Sequence, residues 1–312
     1  MSAPAVSRAM ALAAGAAQGG PLSGVQRYLA PTGLAAALGA LAHPGGATVL
    51  AGGTDLMPQS HARRVPPRPT LLNIRRVEGL DRVAVDGDAL LLGTLVTITT
   101  LLEHPLVRAH APLLAVAADR FASAQVRNAA TLGGNLCNAS PASDTATPLL
   151  ALDAEVELAA LDDDGEVRTR RMRLDAFFDG PGRTRRAPHE LLTAVRVPLA
   201  PAGQVVRFEK AGTRPALDIS TISLALAARR DGRGALHGVR LALGAVAPVP
   251  LRARAAESLL EGRVPDAALA AAAAQAAADA ASPIDDVRAS GWYRRELVRN
   301  LTQRMIDDVA RR

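Results

Sequence analysis

Aromatic residues are nearly absent from this chain of 312 residues, which has four Phe, two Tyr and one Trp. It also has one cysteine, Cys137, and Lys210 is its only lysine. A single cysteine excludes a disulfide within the chain. It also falls short of the four thiolates that a Cys-ligated iron–sulfur cluster normally takes. Such a chain suits a reducing cytoplasm, which is the expected location. The formal charge of +6 comes almost wholly from Arg scattered among acids. It lacks the basic face with interleaved aromatics of a nucleic-acid reader, so no nucleic acid is expected as a partner. No apolar run approaches the roughly 20 residues that span a bilayer, so no membrane span is expected. The histidines (His43, His61, His104, His110, His189, His237) show no metal-ligand spacing, and no metal is assigned.

What is present is a substantial apolar fraction, 49%, enough for the cores of two or three packed domains. Residues 1–24 are rich in Ala and Gly, without the basic and apolar regions of a signal peptide, and read as a disordered tail. Beyond them, Leu34–Leu41 has helical spacing with Thr32 as its expected N-cap. Ala47–Ala51 and Thr70–Ile74 read as strands. Arg82–Val85 and Ala89–Leu92 flank the turn Asp86-Gly87-Asp88, and Glu155–Leu161 and Val167–Met172 flank Asp162-Asp163-Asp164-Gly165; both are hairpin signals. Leu192–Val197 is a further strand, followed by a linker over Pro198–Gly203. Three strand-like runs come next (Val205–Lys210, Ile222–Arg229, Gly238–Gly244). Helical patterns follow over Arg252–Glu261, Pro265–Ala281 and Tyr293–Val309. The expected class is α+β.

Two glycine turns carry the chemistry. Ala51-Gly52-Gly53-Thr54-Asp55-Leu56 follows a strand, and adjacent glycines let backbone N–H groups line up as an anion-binding concavity. The spacing is neither a dinucleotide G-x-G-x-x-G nor a P-loop. Taken alone it is weak evidence, because Gly pairs in tight turns are usually only turns. Thr131-Leu132-Gly133-Gly134-Asn135 is the second turn, and its glycines are also expected to expose N–H groups. It leads into Ser140-Pro141-Ala142-Ser143-Asp144. Asp144 would repel a pyrophosphate, so its place is over sugar or ribityl hydroxyls. Its competing role is to cap a helix starting near Ala146. A ligand with a pyrophosphate and several hydroxyls suits the two turns, and FAD has both.

These strings resemble the FAD-binding medium subunits of molybdenum hydroxylases, the family of xanthine and carbon monoxide dehydrogenases with a PCMH-type FAD-binding domain. The resemblance continues through Phe121, Gln125–Asn128, Leu149–Leu158, Phe208–Lys210, Arg214, Asp218-Ile219 and Asp286–Ser290 with Tyr293-Arg294. It is collinear from about Tyr28 to Met305. It implies a two-subdomain FAD-binding fold, residues 25–80 (α/β) and 81–200 (α+β). A C-terminal domain, residues 201–312, would follow, with a three-stranded antiparallel sheet and helices.

By the same resemblance, residues 51–56 and 131–135 hold the pyrophosphate region and Asp144 binds cofactor hydroxyls. Ser140 adds a short polar group, Phe121 packs near the adenine, and Leu192 lines the site. Lys210 matches a flavin-site lysine, and Ile219 lies beside the isoalloxazine ring. Arg214 and Asp218 are expected to pair. Cys137 is expected to be a small buried residue rather than a covalent or redox site. No residue is assigned a catalytic role.

The implied partners are a large molybdopterin-binding subunit with the molybdenum cofactor and a small subunit with two [2Fe–2S] clusters, as a dimer of heterotrimers. Electrons would pass through FAD to NAD, oxygen or a quinone. Two rival readings are a self-sufficient flavoprotein oxidase or dehydrogenase and a flavin-free scaffold subunit.

Overall fold

Three short apolar runs near the N-terminus pair side by side. The computed structural model describes residues 22–214 and 217–311. The tail expected over 1–24 lies outside these residues as far as position 21. Strands β1 (Arg27–Leu29), β2 (Thr48–Leu50) and β3 (Thr70–Asn73) form a parallel sheet in the order β1-β3-β2. Helix α1 (Leu34–Ala42) connects β1 to β2, and helix α2 (Leu56–His61) follows β2. Helix α1 buries Ala37, Leu38 and Leu41, one stripe of its surface, in a cluster with Leu72 and Ile74. Thr32 is not its N-cap. That position belongs to Gly33, which makes no side-chain capping bond. The Thr32 carbonyl instead accepts the Glu78 amide, and its hydroxyl lies one residue too early for the helix.

The second sheet is antiparallel. It is built from β4 (Val83–Asp86), β5 (Ala89–Gly93), β6 (Glu155–Leu161), β7 (Val167–Arg173) and, after the small hairpin β8 (Phe178–Gly180) and β9 (Arg183–Thr184), β10 (Leu191–Pro198). The order is β4-β5-β10-β6-β7. Both hairpins read from the sequence pair as expected, β4 with β5 and β6 with β7.

Between β5 and β6 the chain makes a run of short helices: α3 (Ile98–Glu103), α4 (Pro105–His110), α5 (Pro112–Asp119), α6 (Ala124–Ala129), α7 (Leu132–Cys137) and α8 (Ala146–Ala151). Their starts are encoded locally. Thr97, Ser123 and Thr131 accept first-turn amides, and Pro105 and Pro112 open α4 and α5.

The C-terminal sheet runs β11 (Gln204–Ala211), β12 (Ile222–Arg230), β13 (Leu236–Gly244) and β14 (Leu251–Arg252), all antiparallel. It therefore has four strands rather than the expected three. The added edge strand is two residues long, too short to show a periodicity. Strand β12 explains how the sheet is covered on both faces. Ile222, Leu224 and Leu226 enter one core with helices α9 (Arg254–Leu260), α10 (Ala267–Ala280) and α11 (Gly291–Ala310), while Ala225 and Ala227 enter the core of the middle domain. The leucines on the helix face are fully buried, each contributing about 1.5–3 kcal/mol. The small face lets α8 lie close, so Thr147 Oγ1 and Ser223 Oγ form a buried hydrogen bond of 2.9 Å. The Arg252 side chain is 5% exposed and ties the two domains, donating to Asp153 at 2.7 Å and pairing with Glu257. Among the described residues no helix is long and apolar enough to cross a membrane.

Candidate functional site

The first glycine turn leaves β2 at Leu50 and enters α2 at Leu56, as the strand-then-turn pattern predicts. Gly53 has φ +74°, a conformation that needs glycine. Gly52 is required for another reason: a Cβ there would sit 2.0 Å from the Ala129 carbonyl oxygen. The turn is thus pressed against the end of α6 and the start of the second glycine segment. Among the described residues no acceptor meets the amides of Gly52 to Leu56. Successive free N–H groups are what an anionic ligand requires. Gln59, one turn into α2, donates to Asp55 and reaches Asn138 at 3.4 Å, joining the two glycine segments.

The second segment differs from expectation. Its glycines do not expose their amides. Leu132 N–H donates to the Val96 carbonyl and Gly133 N–H to the Thr94 carbonyl, both at 2.9 Å. Gly134 N–H is taken by Thr131 Oγ1 at 3.1 Å. A Cβ on Gly133 would meet Thr94 Oγ1 at 1.6 Å, so this glycine serves chain packing. The Leu132 side chain is fully buried in the core and does not line the site.

The next loop is organised by Asn135. Its Oδ1 accepts from Ser143 Oγ at 2.6 Å and from Thr145 Oγ1 at 2.5 Å. Ser140 Oγ accepts the Ala142 amide at 3.2 Å. Asp144 does not cap α8, whose N-cap is Thr145 without a side-chain bond. It accepts from Lys210 Nζ at 2.7 Å and from Ser220 Oγ at 2.8 Å. Burial pushes the Asp144 carboxyl above the ordinary carboxylate range, more than Lys210 and Ser220 draw it down. The ammonium of Lys210, on a side chain 8% exposed, also donates to the Arg120 carbonyl at 3.1 Å. Lys210 stands behind Asp144 and does not line the cavity.

The remaining predicted residues converge. Residues 51–56, Phe121, Thr131, Gly133, Gly134, Asn135, Ser140, Asp144, Leu192 and Ile219 line one cleft of about 720 Å³. This is within the range of cofactor sites. Phe121 is 9% exposed. Leu192 lies beside the register shift between β10 and β6, where Thr193 turns its hydroxyl to the Glu157 carbonyl.

Ile219 is half exposed on the loop after β11. There, Asp218 does not pair with the Arg214 guanidinium. It accepts from Thr213 Oγ1 at 2.8 Å and from the Arg214 amide at 3.3 Å, while the guanidinium donates to the Leu217 carbonyl. The Thr213 hydroxyl and these amides hold the Asp218 carboxyl below its usual value.

Several cleft residues escaped the sequence reading: Gln59, Thr94, Asn138, Gly182, Arg186 and Leu217. Gln59 was legible as the polar residue one helical turn after Asp55. The others are brought in by contacts distant in sequence and carry no local signal. Cys137 lines the cleft too, and burial raises its thiol above the usual range, which disfavours the reactive thiolate.

Comparison with known proteins agrees with this geometry. The family described as "FAD binding domain in molybdopterin dehydrogenase" matches residues 23–200. The one described as "CO dehydrogenase flavoprotein C-terminal domain" matches residues 207–309. The xanthine dehydrogenase FAD-binding subunit of Escherichia coli O157:H7 is 33% identical over 279 residues, covering 88% of this chain and 93% of its own length. The carbon monoxide dehydrogenase medium chain of Hydrogenophaga pseudoflava is 32% identical over 285 residues, covering 90% and 95%. A solved carbon monoxide dehydrogenase from that organism superposes with a TM-score of 0.85 at 31% identity, covering 91% of this chain and 96% of that one. Two adjoining family matches and near-full-length relatives give one result: the chain belongs to the FAD-binding medium subunits of the molybdenum hydroxylases, oxidoreductases of the xanthine and carbon monoxide dehydrogenase type.

Proposed function

We propose that this chain holds FAD in the cleft between its two glycine segments and serves as the electron-outlet subunit of a molybdenum hydroxylase. The unspent amides of Gly52 to Leu56 at the wall of a cleft that combines apolar side chains with short polar ones carry the reading. The residues fit a dinucleotide. Free backbone donors suit a pyrophosphate, and Asp144, whose carboxylate is already neutralised by Lys210, suits sugar or ribityl hydroxyls without repelling a nearby phosphate. When bound, FAD supplies a carrier that takes electrons singly and releases them as a pair.

The chain's own task is to bind and orient that carrier. Phe121 and Leu192 give apolar walls, and half-exposed Ile219 limits access at the mouth. Lys210 acts through Asp144, so its charge influences the ligand only across that carboxylate.

Under this reading substrate oxidation takes place at a molybdenum cofactor in a large partner subunit. Electrons arrive through two [2Fe–2S] clusters of a small partner subunit and leave to NAD, oxygen or a quinone. The complex is a cytoplasmic dimer of heterotrimers. The names of the relatives, subunits of xanthine and carbon monoxide dehydrogenases, support the assignment to such a complex.

The test is an absorption spectrum and mass analysis of the purified chain before and after acid release. Released FAD is the expected result. A colourless protein that takes up no added FAD refutes the proposal.

A further inference from the structure

We propose that Arg186 is a further cofactor-binding residue, supplying the cleft's positive charge to the pyrophosphate of the dinucleotide; this rests on the FAD reading above. The acidic and basic side chains lining the cleft are Asp55, Asp144, Asp218 and Arg186. With Asp144 neutralised by Lys210, Asp55 and Asp218 would repel a dianionic pyrophosphate if Arg186 were not there. Lys210 offsets only Asp144, from behind. The backbone amides of residues 52–56 contribute partial charges but no full one.

The geometry of Arg186 fits this task. Its Nη1 donates to the Ala187 carbonyl at 3.1 Å and to the Glu190 carbonyl at 2.5 Å, so one edge of the guanidinium is held by the chain. A guanidinium fixed by carbonyls keeps its remaining N–H donors and its full charge for another partner. Among the described residues Arg186 forms no ion pair. The neighbouring Glu190 carboxylate is engaged by Arg170 at 2.5 and 2.8 Å and by the Ala187 amide at 2.7 Å. Arg186 is half-buried, and its charge is close enough to act on the Cys137 thiol at the end of α7.

The resemblance places the flavin ring beside Ile219. Asp144, Ser220 and the loop carrying Ile219 stand together through the Asp144–Ser220 bond. Cys137 instead adjoins Asn138, which Gln59 links to the first glycine turn. On this link the proposal sets Arg186 with the free amides at the ADP half of the ligand.

The test uses the full chain freed of flavin and titrated with FAD, ADP, adenosine and riboflavin at several salt concentrations. Wild type should bind FAD and ADP with a salt dependence that riboflavin does not show. Arg186→Gln should weaken FAD and ADP by about 10- to 100-fold, the usual weight of a charge-assisted hydrogen bond. It should leave adenosine and riboflavin unchanged. Arg186→Lys, which keeps the charge but not the fork, should recover part of the loss. If Arg186→Gln binds FAD and ADP as wild type does, the inference is overturned. Equal losses of adenosine or riboflavin also overturn it, because they indicate stacking or a disturbed cleft rather than phosphate recognition. A wild type that binds ADP without any salt dependence overturns it by a route independent of the variants. A wild type that takes up no FAD overturns the functional reading and this inference together.

Discussion

The sharpest consequence of the structure concerns Lys210, whose ammonium is buried against Asp144. The two side chains are 8% and 12% exposed, and they join the C-terminal sheet to the loop that shapes the cleft. Lys210→Met keeps the length and packing of the stem but leaves Asp144 with Ser220 as its remaining side-chain partner. Breaking a buried pair by removing one partner costs about 3–5 kcal/mol. For a chain of this size about 2 °C of melting temperature accompanies each kcal/mol, so a fall of about 6–10 °C is expected near neutral pH.

The pH dependence gives the more specific signature. Burial already holds the Asp144 carboxyl above its unfolded value, and removal of Lys210 raises it further. A carboxyl raised by folding binds its proton more tightly in the folded chain. It therefore favours folding at low pH, and that contribution is lost as pH rises through the folded value. The deficit of Lys210→Met should thus be smallest in acid and grow as pH rises toward 8. Asp144→Asn added to Lys210→Met should restore most of the loss and flatten the profile. The assay is thermal unfolding of the flavin-free chain followed by circular dichroism across that pH range. A Lys210→Met chain that melts within about 2 °C of wild type at pH 8, or shows a deficit independent of pH, refutes the reasoning.

Other perturbations follow from the same geometry. Gly52→Ala drives a methyl into the Ala129 carbonyl and Gly133→Ala drives one into Thr94, so each should cost about 1–3 kcal/mol. Both should also reduce FAD uptake by equilibrium titration, whereas Gly134→Ala, whose nearest contact is the Thr131 hydroxyl at 2.9 Å, should be milder. Arg252→Met removes the buried cation between Glu257 and Asp153, which keep Arg254 and Arg240 as partners, and should lower stability by about 1.5–3 kcal/mol in denaturant unfolding. A loss below about 1 kcal/mol would show that the pair is not needed to join the domains. The Asp231 carboxyl, held by His237 and the amides of Ala235 and Arg233, should titrate at about 2. Its carbon-13 carboxyl signal should stay flat from neutral pH down to the ordinary carboxylate range.

Where local rules act alone, the sequence was read well. Period-two alternation and Asp-Gly turns located both hairpins of the second sheet. Helical spacing located the three C-terminal helices, because these signals depend on neighbours a few residues apart. The first glycine segment was legible as a turn between strand and helix, since strand-then-Gly-Gly is a local pattern. Short elements such as β14 and α6 were not legible, being too brief for any periodicity to emerge.

The use to which each glycine is put was decided only in three dimensions. Gly53 needs its positive φ, which belongs to the turn itself, but Gly52 and Gly133 are glycine because Ala129 and Thr94 approach them from elsewhere in the chain. Among the described residues the first turn's amides stay free, while Val96 and Thr94 take those of Leu132 and Gly133 in the second. Lys210 could be singled out by its rarity, yet its partner Asp144 lies 66 residues away, and the pairing places the ammonium behind the carboxylate rather than in the cleft. Arg186 gives no local signal at all, because its place in the cleft depends on how β10 and α7 come together. Backbone conformation is set by near neighbours and can be read along the chain; which donors are spent and which charges are paired depends on distant segments, and only the folded packing determines it.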